Sequence, residues 1–441
     1  MAFDLPTIYD RVISLDVHSR QITACALIVE ENSISRLIHQ QFGTFKRELS
    51  EMAQWALELR PEAVVMESTG IYWIPPYEAL EKVGIKPIVV NPRHVKALKG
   101  HKTDVSDSHR LALLTRADLL KGSFVPPKKF RDLRVLSRQR KKYVNQLASL
   151  KNRLHSTLST IGVRLGTVVS DIHGKSARAM IKAIIAGKEP EAVILLASKR
   201  LKASKAELLD AVQANMTEPH QFVLEDLMLR IEQAEAGIAQ YDQKLVEELV
   251  EERPYLEILQ TIPGIDLVGA AMLLIEIGTD MSVFGNVKRF ASWVGICPGN
   301  NESAGKRKSG RVTKGNVYVK TMLVEFAHAA RRTDSVFKVK FQSLVGRIGF
   351  KRAIIAVAHK LLRTIFSMLK NREVYKDTTV DYEALIAKRN APRWVRQLKK
   401  AGYFDQIAEN AIREKEAKAS RGKKEEAGAD TKKKAPTNAR E

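Results

Sequence analysis

The stretch RVISLDVHSRQITACALIV, from Arg11 to Val29, decides the fold of the N-terminal part of this chain. It holds two runs, VISLDVHS and ITACALIV, which are rich in β-branched and apolar residues and are joined by a tight turn. This pattern predicts a β-hairpin. A third run, ISRLIHQQF, continues the hairpin as a further strand. We therefore expect three antiparallel strands at the start.

Helical and strand-like segments alternate after the hairpin. A helical stretch around residues 46–59 precedes EAVVMES, an apolar run of the buried-strand type. A capped helix then ends at Gly84, IKPIVVN is another strand, and a further helix starts at Asp104 or one residue earlier. Three antiparallel strands followed by alternating helices and strands are the order of a ribonuclease-H-like α/β fold, which we assign to residues 1–126.

Long helices are predicted between residues 127 and 255. Residues at alternating spacings of four and three are mostly apolar or aromatic from Leu136 to Ile161, with Arg140 and Thr157 as the exceptions, and again from Leu224 to Leu245. Such heptad seams are typical of an antiparallel coiled-coil arm, here with residues 170–219 at its tip, and equally of amphipathic bundle helices. The sequence leaves both interpretations open.

A mainly helical domain is predicted at residues 256–375, and a basic helical extension with a disordered tail at residues 376–441. Within the helical domain, TIPGIDLVGAAMLLIEIG has the form of a helix-hairpin-helix. Backbone N–H groups near Gly264 and Gly269 would then hold DNA phosphates without reading bases. An ordinary helical connection that contains glycine is the alternative.

The overall charge favours a polyanionic partner. The 441 residues carry a formal net charge of +23, with a pI near 9.8, and binding to phosphates releases counterions. Nucleic acid is the leading candidate and an anionic membrane surface is the other. No apolar run could span a bilayer and no signal peptide is visible, so a cytoplasmic protein is expected. Cys25 and Cys297 are the only cysteines, and we expect reduced thiols.

Four acids fall where the predicted fold would bring them together. Asp16 lies within the first strand and Glu67 at the carboxyl end of another, while Asp104 and Asp107 share one helix face. Mg²⁺ prefers oxygen ligands and would hold such carboxylates together. Asp104 as an N-cap, Asp107 as a first-turn acid and Glu67 at a turn are the local alternatives. Asp16 is costly in an apolar strand without a partner.

The stretch NNESAGKRKSGRVTKGN combines one early serine, Ser303, with a run of cations that could neutralise phosphates: Lys306, Arg307, Lys308, Arg311 and Lys314. A serine here is usually a turn residue of a basic loop. It is a poor nucleophile unless a base or a metal activates it. No base is present locally, so the activating group would have to come from the carboxylate cluster. Lys102, in the basic stretch before the first helix acid, is a further candidate for nucleic-acid contact.

These motifs together resemble the DEDD transposases, the insertion-sequence recombinases of the one-ten type that are guided by a bridge RNA. The resemblance covers about residues 10–370 and rests on motifs found in the family's order: LDVHS, VVMESTGIYW, VVNPRHVKALKGHKTDVSDSHRLALL, TIPGIDLVGAAMLLIEIG and WVGICPGNNESAGKRKSGRVTKGN. It implies a Holliday-junction-resolvase-like (RuvC-like) N-terminal domain, a coiled-coil region and a C-terminal transposase domain.

The resemblance also implies roles for the residues above. Asp16, Glu67, Asp104 and Asp107 would form a tetrad that binds Mg²⁺. Ser303 would attack a DNA phosphodiester, form a phosphoserine linkage and release a 3′-hydroxyl for later rejoining.

The implied partners are double-stranded donor and target DNA and a noncoding bridge RNA. Homodimers would pair into tetramers, and each active site would take its tetrad from one subunit and its serine from another. Two other hypotheses remain at this point. One is a metal-dependent junction endonuclease that uses water as the nucleophile, and the other is a non-enzymatic RNA- or DNA-binding scaffold.

Overall fold

The computed structural model describes residues 8–29, 35–67, 70–91, 104–297, 301–303, 306–309, 312–377, 379–403 and 406. The predicted hairpin forms its first two strands, whose apolar side chains are almost all buried. The strands of the sheet are Arg11–Val17 (β1), Gln21–Val29 (β2), Ser35–Gly43 (β3), Ala63–Glu67 (β4) and Ile88–Val90 (β5).

The sheet combines antiparallel and parallel pairs in the order β3-β2-β1-β4-β5. β2 pairs antiparallel with β1 and β3, whereas β4 pairs parallel with β1, and β5 with β4. The central position of β1 places its residues between two neighbouring strands. The mixed α/β sheet and its predicted order of elements are confirmed.

Helices cover both faces of the sheet. Lys46–Glu58 (α1) and Ile74–Lys82 (α2) pack on one face, where their apolar residues join the main core of the sheet. Asp104–Arg116 (α3) packs on the other face through Leu111 and Ala112. Since successive strand residues point to opposite faces, each β1 residue belongs to one of these two layers.

The two heptad seams form the long helices Lys128–Thr160 (α4) and Glu218–Glu247 (α9). They run antiparallel: the Tyr143 and Tyr241 rings lie 5.5 Å apart, and Lys151 Nζ lies 3.0 Å from Glu235. Four short helices lie between them along the chain: Leu165–Val168 (α5), Lys175–Ile185 (α6), Pro190–Ile194 (α7) and Lys205–Val212 (α8). All six helices share one apolar core, whereas a coiled-coil arm stays a prediction.

The remaining described chain is mainly helical, around the long helix Phe350–Asn371 (α15), whose apolar face is fully buried. The other helices are Arg253–Gln260 (α10), Leu267–Ile277 (α11), Val287–Val294 (α12), Val317–Ala330 (α13), Val336–Ile348 (α14) and Thr379–Lys400 (α16). A small hairpin of Asn301–Ser303 (β6) and Lys306–Ser309 (β7) precedes α13.

The chain divides into two compact units. The first contains residues 1–241 and 275–285, and the second contains residues 242–274 and 286–441. The predicted division into four parts stays a prediction, and the whole of the predicted disordered tail, residues 415–441, lies outside the described residues. None of the helices in the described segments has both the length and the hydropathy needed to cross a membrane.

Candidate active site

Asp16 and Glu67 lie at adjoining positions at the carboxyl ends of two parallel strands. β1 and β4 pair with Leu15 opposite Met66, and the next residue of each strand is one of the two acids. Leu15 and Met66 enter the core beneath α1 and α2, so both acids belong to the face that α3 covers. The Asp16 side chain is 16% exposed, and its Oδ2 lies 3.2 Å from Nε2 of His18.

The helix α3 runs antiparallel to β1 across this face. Close to the start of β1, the N–H groups of Ile8 and Tyr9 donate to the carbonyl oxygen of Arg116, at 2.9 and 3.2 Å. Further along β1, Ser14 Oγ donates to the carbonyl oxygen of Ser108 at 2.6 Å. The helix therefore begins at the end of the sheet at which β1 finishes.

The first turn of α3 lies beside the strand acids. The helix rises about 6 Å between Asp104 and Ser108, and β1 advances by about the same distance from Ser14 to Asp16. The backbone of Asp104 and Asp107 is thus at the same end and on the same face of the sheet as Asp16. Their side chains lie outside the described part of the structure.

The residues at this edge fit a divalent cation in their donor chemistry. All four acids offer oxygen ligands, which Mg²⁺ prefers, and neighbouring carboxylates repel each other unless a cation lies between them. Among the side chains that the structure describes, no group of three or more His, Cys, Asp and Glu residues is arranged to hold a metal ion. Two members of the predicted tetrad are not among those side chains, so the magnesium site stays a prediction.

Ser303 ends a short β-strand. β6 and β7 pair antiparallel, with Ser303 opposite Lys306 and Glu302 opposite Arg307. The sequence predicts a basic loop here, and the structure has a hairpin instead. Residues 304–305, which connect the two strands along the chain, lie outside the described residues.

Two glycines hold the base of this hairpin together. A Cβ added to Gly315 would collide with the backbone N of Gly295 and the backbone O of Trp293, so only glycine allows the two segments to approach. Gly295 itself has φ +74° and ends α12. Asn316 N donates to Trp293 O at 3.0 Å. The backbone on both sides of residues 298–311 is thereby fixed.

Two residues at these sites were missed by sequence reasoning. Lys320 Nζ donates to the carbonyl oxygens of Gly295 and Thr313, at 3.4 and 3.5 Å, and so supports the base of the hairpin. Ser14 links β1 to α3. Ser14 could have been found from the sequence, because a hydroxyl inside an apolar strand needs a buried hydrogen-bond partner. Lys320 could not, because a lysine in a helix gives no sign of the backbone oxygens that it contacts.

The predicted helix-hairpin-helix region contains two helices, α10 and α11, joined by a turn. Gly264, with φ +90°, packs so closely that a Cβ would lie 2.7 Å from the backbone N of Ala330. Gly269 N donates to Asp266 Oδ1 at 2.7 Å. Both glycines therefore have a local packing or capping role, and their contact with nucleic acid stays a prediction.

The structure describes some of the predicted nucleic-acid-binding cations completely, some by their backbone alone, and others not at all. Lys102 and Arg311 lie outside the described residues, and only the backbone of Lys306, Arg307 and Lys308 is described, within β7. Lys314 is exposed beside the base of the hairpin. The acids of β1, β4 and α3 belong to the first unit, and Ser303 belongs to the second.

Two models of transposase families match the chain. A DEDD-type transposase model matches residues 13–163, and the model described as the IS116/IS110/IS902 family matches residues 256–342. Together they match more than half of the chain.

Two known transposases match the chain along most of their own length. The transposase for insertion sequence element IS1111A from Coxiella burnetii is 24% identical over 72% of this chain and 80% of its own length. A "Probable family 20 transposase" of Pseudomonas aeruginosa is 24% identical over 72% of this chain and 87% of its own. The structure of Thermus thermophilus RuvC aligns with 26% of this chain and 83% of its own, at 19% identity and a TM-score of 0.18.

Proposed function

Since this chain belongs to the IS110-type transposases, enzymes of DNA strand cleavage and transfer, we propose that it cuts and rejoins DNA strands with Ser303 as nucleophile and Asp16, Glu67, Asp104 and Asp107 as a magnesium-binding tetrad. The observation that carries the proposal is the placement of the two strand-end acids beside the first turn of α3. The backbone positions of the four acids, from three separate places in the sequence, lie at one edge of the sheet, and the proposal requires their carboxylates to meet there.

The tetrad would hold divalent cations through its carboxylate oxygens. A bound Mg²⁺ would polarise the phosphoryl oxygens and lower the pKa of the attacking hydroxyl. Asp16 and Glu67 would supply fixed ligands from the rigid strands β1 and β4. The acids of α3 would add ligands at the positive end of the helix, which also favours negative charge.

Ser303 would form the covalent bond to DNA. Its Oγ bonds to phosphorus while the bond from phosphorus to the 3′ oxygen breaks, and the serine proton ends on the 3′-hydroxyl. One ester bond replaces another, so the reverse reaction rejoins a strand without an external energy source. The short hairpin, closed at its base by Gly295 and Gly315, would present this hydroxyl in a fixed position.

The cations of the hairpin would neutralise the transferring phosphate. Lys306 is the cross-strand partner of Ser303, and Arg307 follows it on the same strand. Positive charge that is already in place around a phosphate stabilises the charge that develops during transfer. Lys308, Arg311 and Lys314 extend the same basic segment.

A noncoding bridge RNA would specify donor and target DNA by base pairing, and homodimers would assemble into tetramers. The net charge of +23 supports a protein that binds several nucleic-acid strands at once. Tetrad and serine lie in different units of the chain, and the proposed active site would join a tetrad from one subunit to a serine from another.

The nucleophile is tested by a matched pair of variants in the same hairpin. Ser303→Ala should abolish both strand transfer and the covalent protein–DNA adduct, whereas Ser309→Ala, on β7, should retain both. The assay follows cleavage of labelled DNA with Mg²⁺ on denaturing gels, in the presence of RNA transcribed from beside the gene. Nicking by Ser303→Ala at the wild-type rate would instead favour a metal-dependent endonuclease that uses water.

The RNA partner is tested by purification of the protein with its cellular RNA, followed by sequencing. We expect one discrete transcript encoded beside the gene. A bound population that mirrors total cellular RNA would contradict guided recognition and leave only non-specific binding.

A further inference from the structure

Two large apolar side chains are exposed at the edge of the sheet that carries the strand acids. Ile71 and Tyr72 are 72% and 46% exposed, and they lie in the turn of residues 70–73 that precedes α2. Because β4 and β5 are parallel, the helix α2 that connects them starts at the carboxyl ends of the strands. Asp16 and Glu67 lie at the same ends. Together, Ile71 and Tyr72 form an apolar tip at this edge.

The turn that carries the apolar tip is held in place by its neighbours. Ile74 N donates to Ile71 O at 3.2 Å. Trp73 packs against the core of the sheet, and its ring lies 5.6 Å from the ring of the buried Tyr77. Two prolines near the start of α2 restrict the backbone further. The tip therefore stays in solvent, because turning it towards the core would require Trp73 to leave that core.

The ring of Tyr72 lies near the strand acids along the chain. Its Cδ2 atom is 3.7 Å from the position that a Cβ on Gly70 would occupy, so the ring packs beside the residue three positions after Glu67. Five residues span at most about 18 Å, and a DNA strand advances about 3.4 Å per nucleotide. When a phosphate is bound at Glu67, bases within about five nucleotides of it are in reach of the ring.

An unpaired base is the ligand that suits the apolar tip. Transfer of a DNA strand, the reaction of this family, separates bases near the cut from their partners and exposes their flat faces. An aromatic side chain covers such a face by stacking and accepts any base, and apolar side chains also insert between base steps. A phosphate is disfavoured at the tip, because the tip carries no charge and the neighbouring carboxylates repel anions.

We propose that the apolar tip holds an unpaired DNA base beside the cut, with the base stacked on Tyr72 and the adjacent nucleotide in contact with Ile71. The stacked base lies within about five nucleotides of the phosphate that is cut. The inference rests on the proposed function, because it takes the acidic edge as the place of cleavage. It does not depend on Ser303 as the nucleophile.

The contact is tested by photo-crosslinking of the full-length protein to the DNA of the cleavage assay, with the RNA present. Ca²⁺ replaces Mg²⁺, since it accepts the same oxygen ligands and the readout does not require cleavage. The base analogue iodouracil, which bonds on illumination to an aromatic side chain stacked on it, replaces one base at a time on both sides of the cut. We expect a crosslink from one position within about five nucleotides of the cut, with the modification on Tyr72 in mass spectrometry. Tyr72→Ala should lose it.

Cleavage kinetics with Mg²⁺ separate stacking from other apolar contact. Tyr72→Ala should lower kcat/KM roughly 5- to 100-fold, the range for loss of one stacked base, and should keep the wild-type Tm because the side chain is exposed. Tyr72→Phe keeps the ring and should recover most of the loss, whereas Tyr72→Leu should recover little. The matched control is Phe222→Ala, which removes an aromatic side chain of the same unit that is 72% exposed and should cut at the wild-type rate.

The proposal is wrong if no scanned position crosslinks to Tyr72, or if Tyr72→Ala cuts at the wild-type rate. Equal recovery by Tyr72→Leu and Tyr72→Phe would exclude stacking. A Tyr72→Ala protein that changes only its oligomeric state would assign the tip to contact between copies of this chain. Wild-type cleavage by Asp16→Asn together with an intact crosslink to Tyr72 would overturn the proposed tetrad and leave the base contact in place, so the two proposals can fail separately.

Discussion

Asp16 shows how the chemistry of a single side chain can indicate a functional site. A carboxylate inside an apolar strand loses hydration, and this loss requires a partner. The structure gives Asp16 a contact with His18 and a position next to Glu67. The sequence could predict the positions of these acids on strands and helix, because the alternation of strand residues and the helical spacing follow directly from residue type.

Asp16→Asn should lower the rate of DNA cleavage by on the order of 100-fold, the scale for removing one electrostatic stabiliser of a transition state. The Tm should stay equal or rise, because the substitution keeps the shape and reduces repulsion with Glu67. Cleavage assays and thermal melts measure the two effects.

Asp132→Asn is the control for this substitution. Asp132 is an exposed acid of α4 that pairs with Lys128, and its loss should leave the cleavage rate unchanged. An Asp16→Asn protein that cuts as fast as wild type would remove this acid from the proposed tetrad.

The strands of the five-stranded sheet could be predicted from the sequence more completely than the two short strands around Ser303. Apolar runs and alternation predict β1, β2, β4 and β5 because burial dictates their composition, whereas the largely exposed β3 is predicted as the continuation of the hairpin. β6 and β7 have no such signal, since their residues are polar and charged and are held by hydrogen bonds and by the crossing at Gly295 and Gly315. Contacts between residues twenty positions apart cannot be read from spacing alone.

Gly315→Ala tests whether this crossing positions the hairpin. The added methyl group meets backbone atoms that cannot move aside as a side chain can, and we expect destabilisation by about 1–3 kcal/mol together with loss of strand transfer. Denaturant unfolding and transfer assays provide the measurements.

Gly346→Ala is the matched control, because a Cβ there meets nothing within 4 Å and alanine favours the helix α14. Its stability and activity should equal or exceed those of wild type. Full activity of Gly315→Ala would show that the hairpin does not depend on the close approach.

An ion-pair network holds α9 to its neighbours in the first unit. Glu235 accepts hydrogen bonds from Arg178 at 2.7 and 2.5 Å and lies 3.0 Å from Lys151. These contacts, the hydrogen bond from Arg178 foremost, lower the pKa of Glu235 from 4.5 to about 2. A carboxyl group whose pKa is lower in the folded state stabilises that state. Its contribution to the free energy of unfolding is complete above pH 4.5 and is lost as the pH falls towards 2.

Glu235→Gln should therefore lower the Tm at pH 7 by roughly 2–4 °C, the effect of a solvent-screened network of about 1 kcal/mol. The difference from wild type should shrink as the pH falls from 4.5 towards 2. Glu225→Gln, an exposed residue of the same helix, should match wild type at every pH. A difference in Tm that is constant with pH would assign the effect to packing instead of charge.

For the chain as a whole, the sequence indicated the mixed α/β fold of the N-terminal part and the family, and the structure forms two compact units. Residues 275–285 belong to the first unit although they follow part of the second along the chain. Within the first unit, Glu276 is fully buried and lies 3.1 Å from Arg134 and 2.9 Å from Arg138. Burial lowers the pKa of Arg134 to about 10, despite the opposing effect of Glu276. Sequence patterns describe residues that are close along the chain. They do not predict that a later segment, such as residues 275–285, packs into an earlier unit.

Serine-mediated strand transfer is best tested by identifying the residue that becomes joined to DNA. Wild-type protein is allowed to react with a DNA target, RNA and Mg²⁺, the adduct is digested with nuclease and trypsin, and the modified peptide is sequenced by mass spectrometry. We expect a nucleotide phosphate on Ser303, within the tryptic peptide that runs from Phe290 to Lys306. Cleaved DNA without any adduct, or an adduct on another residue, would show that Ser303 is not the nucleophile.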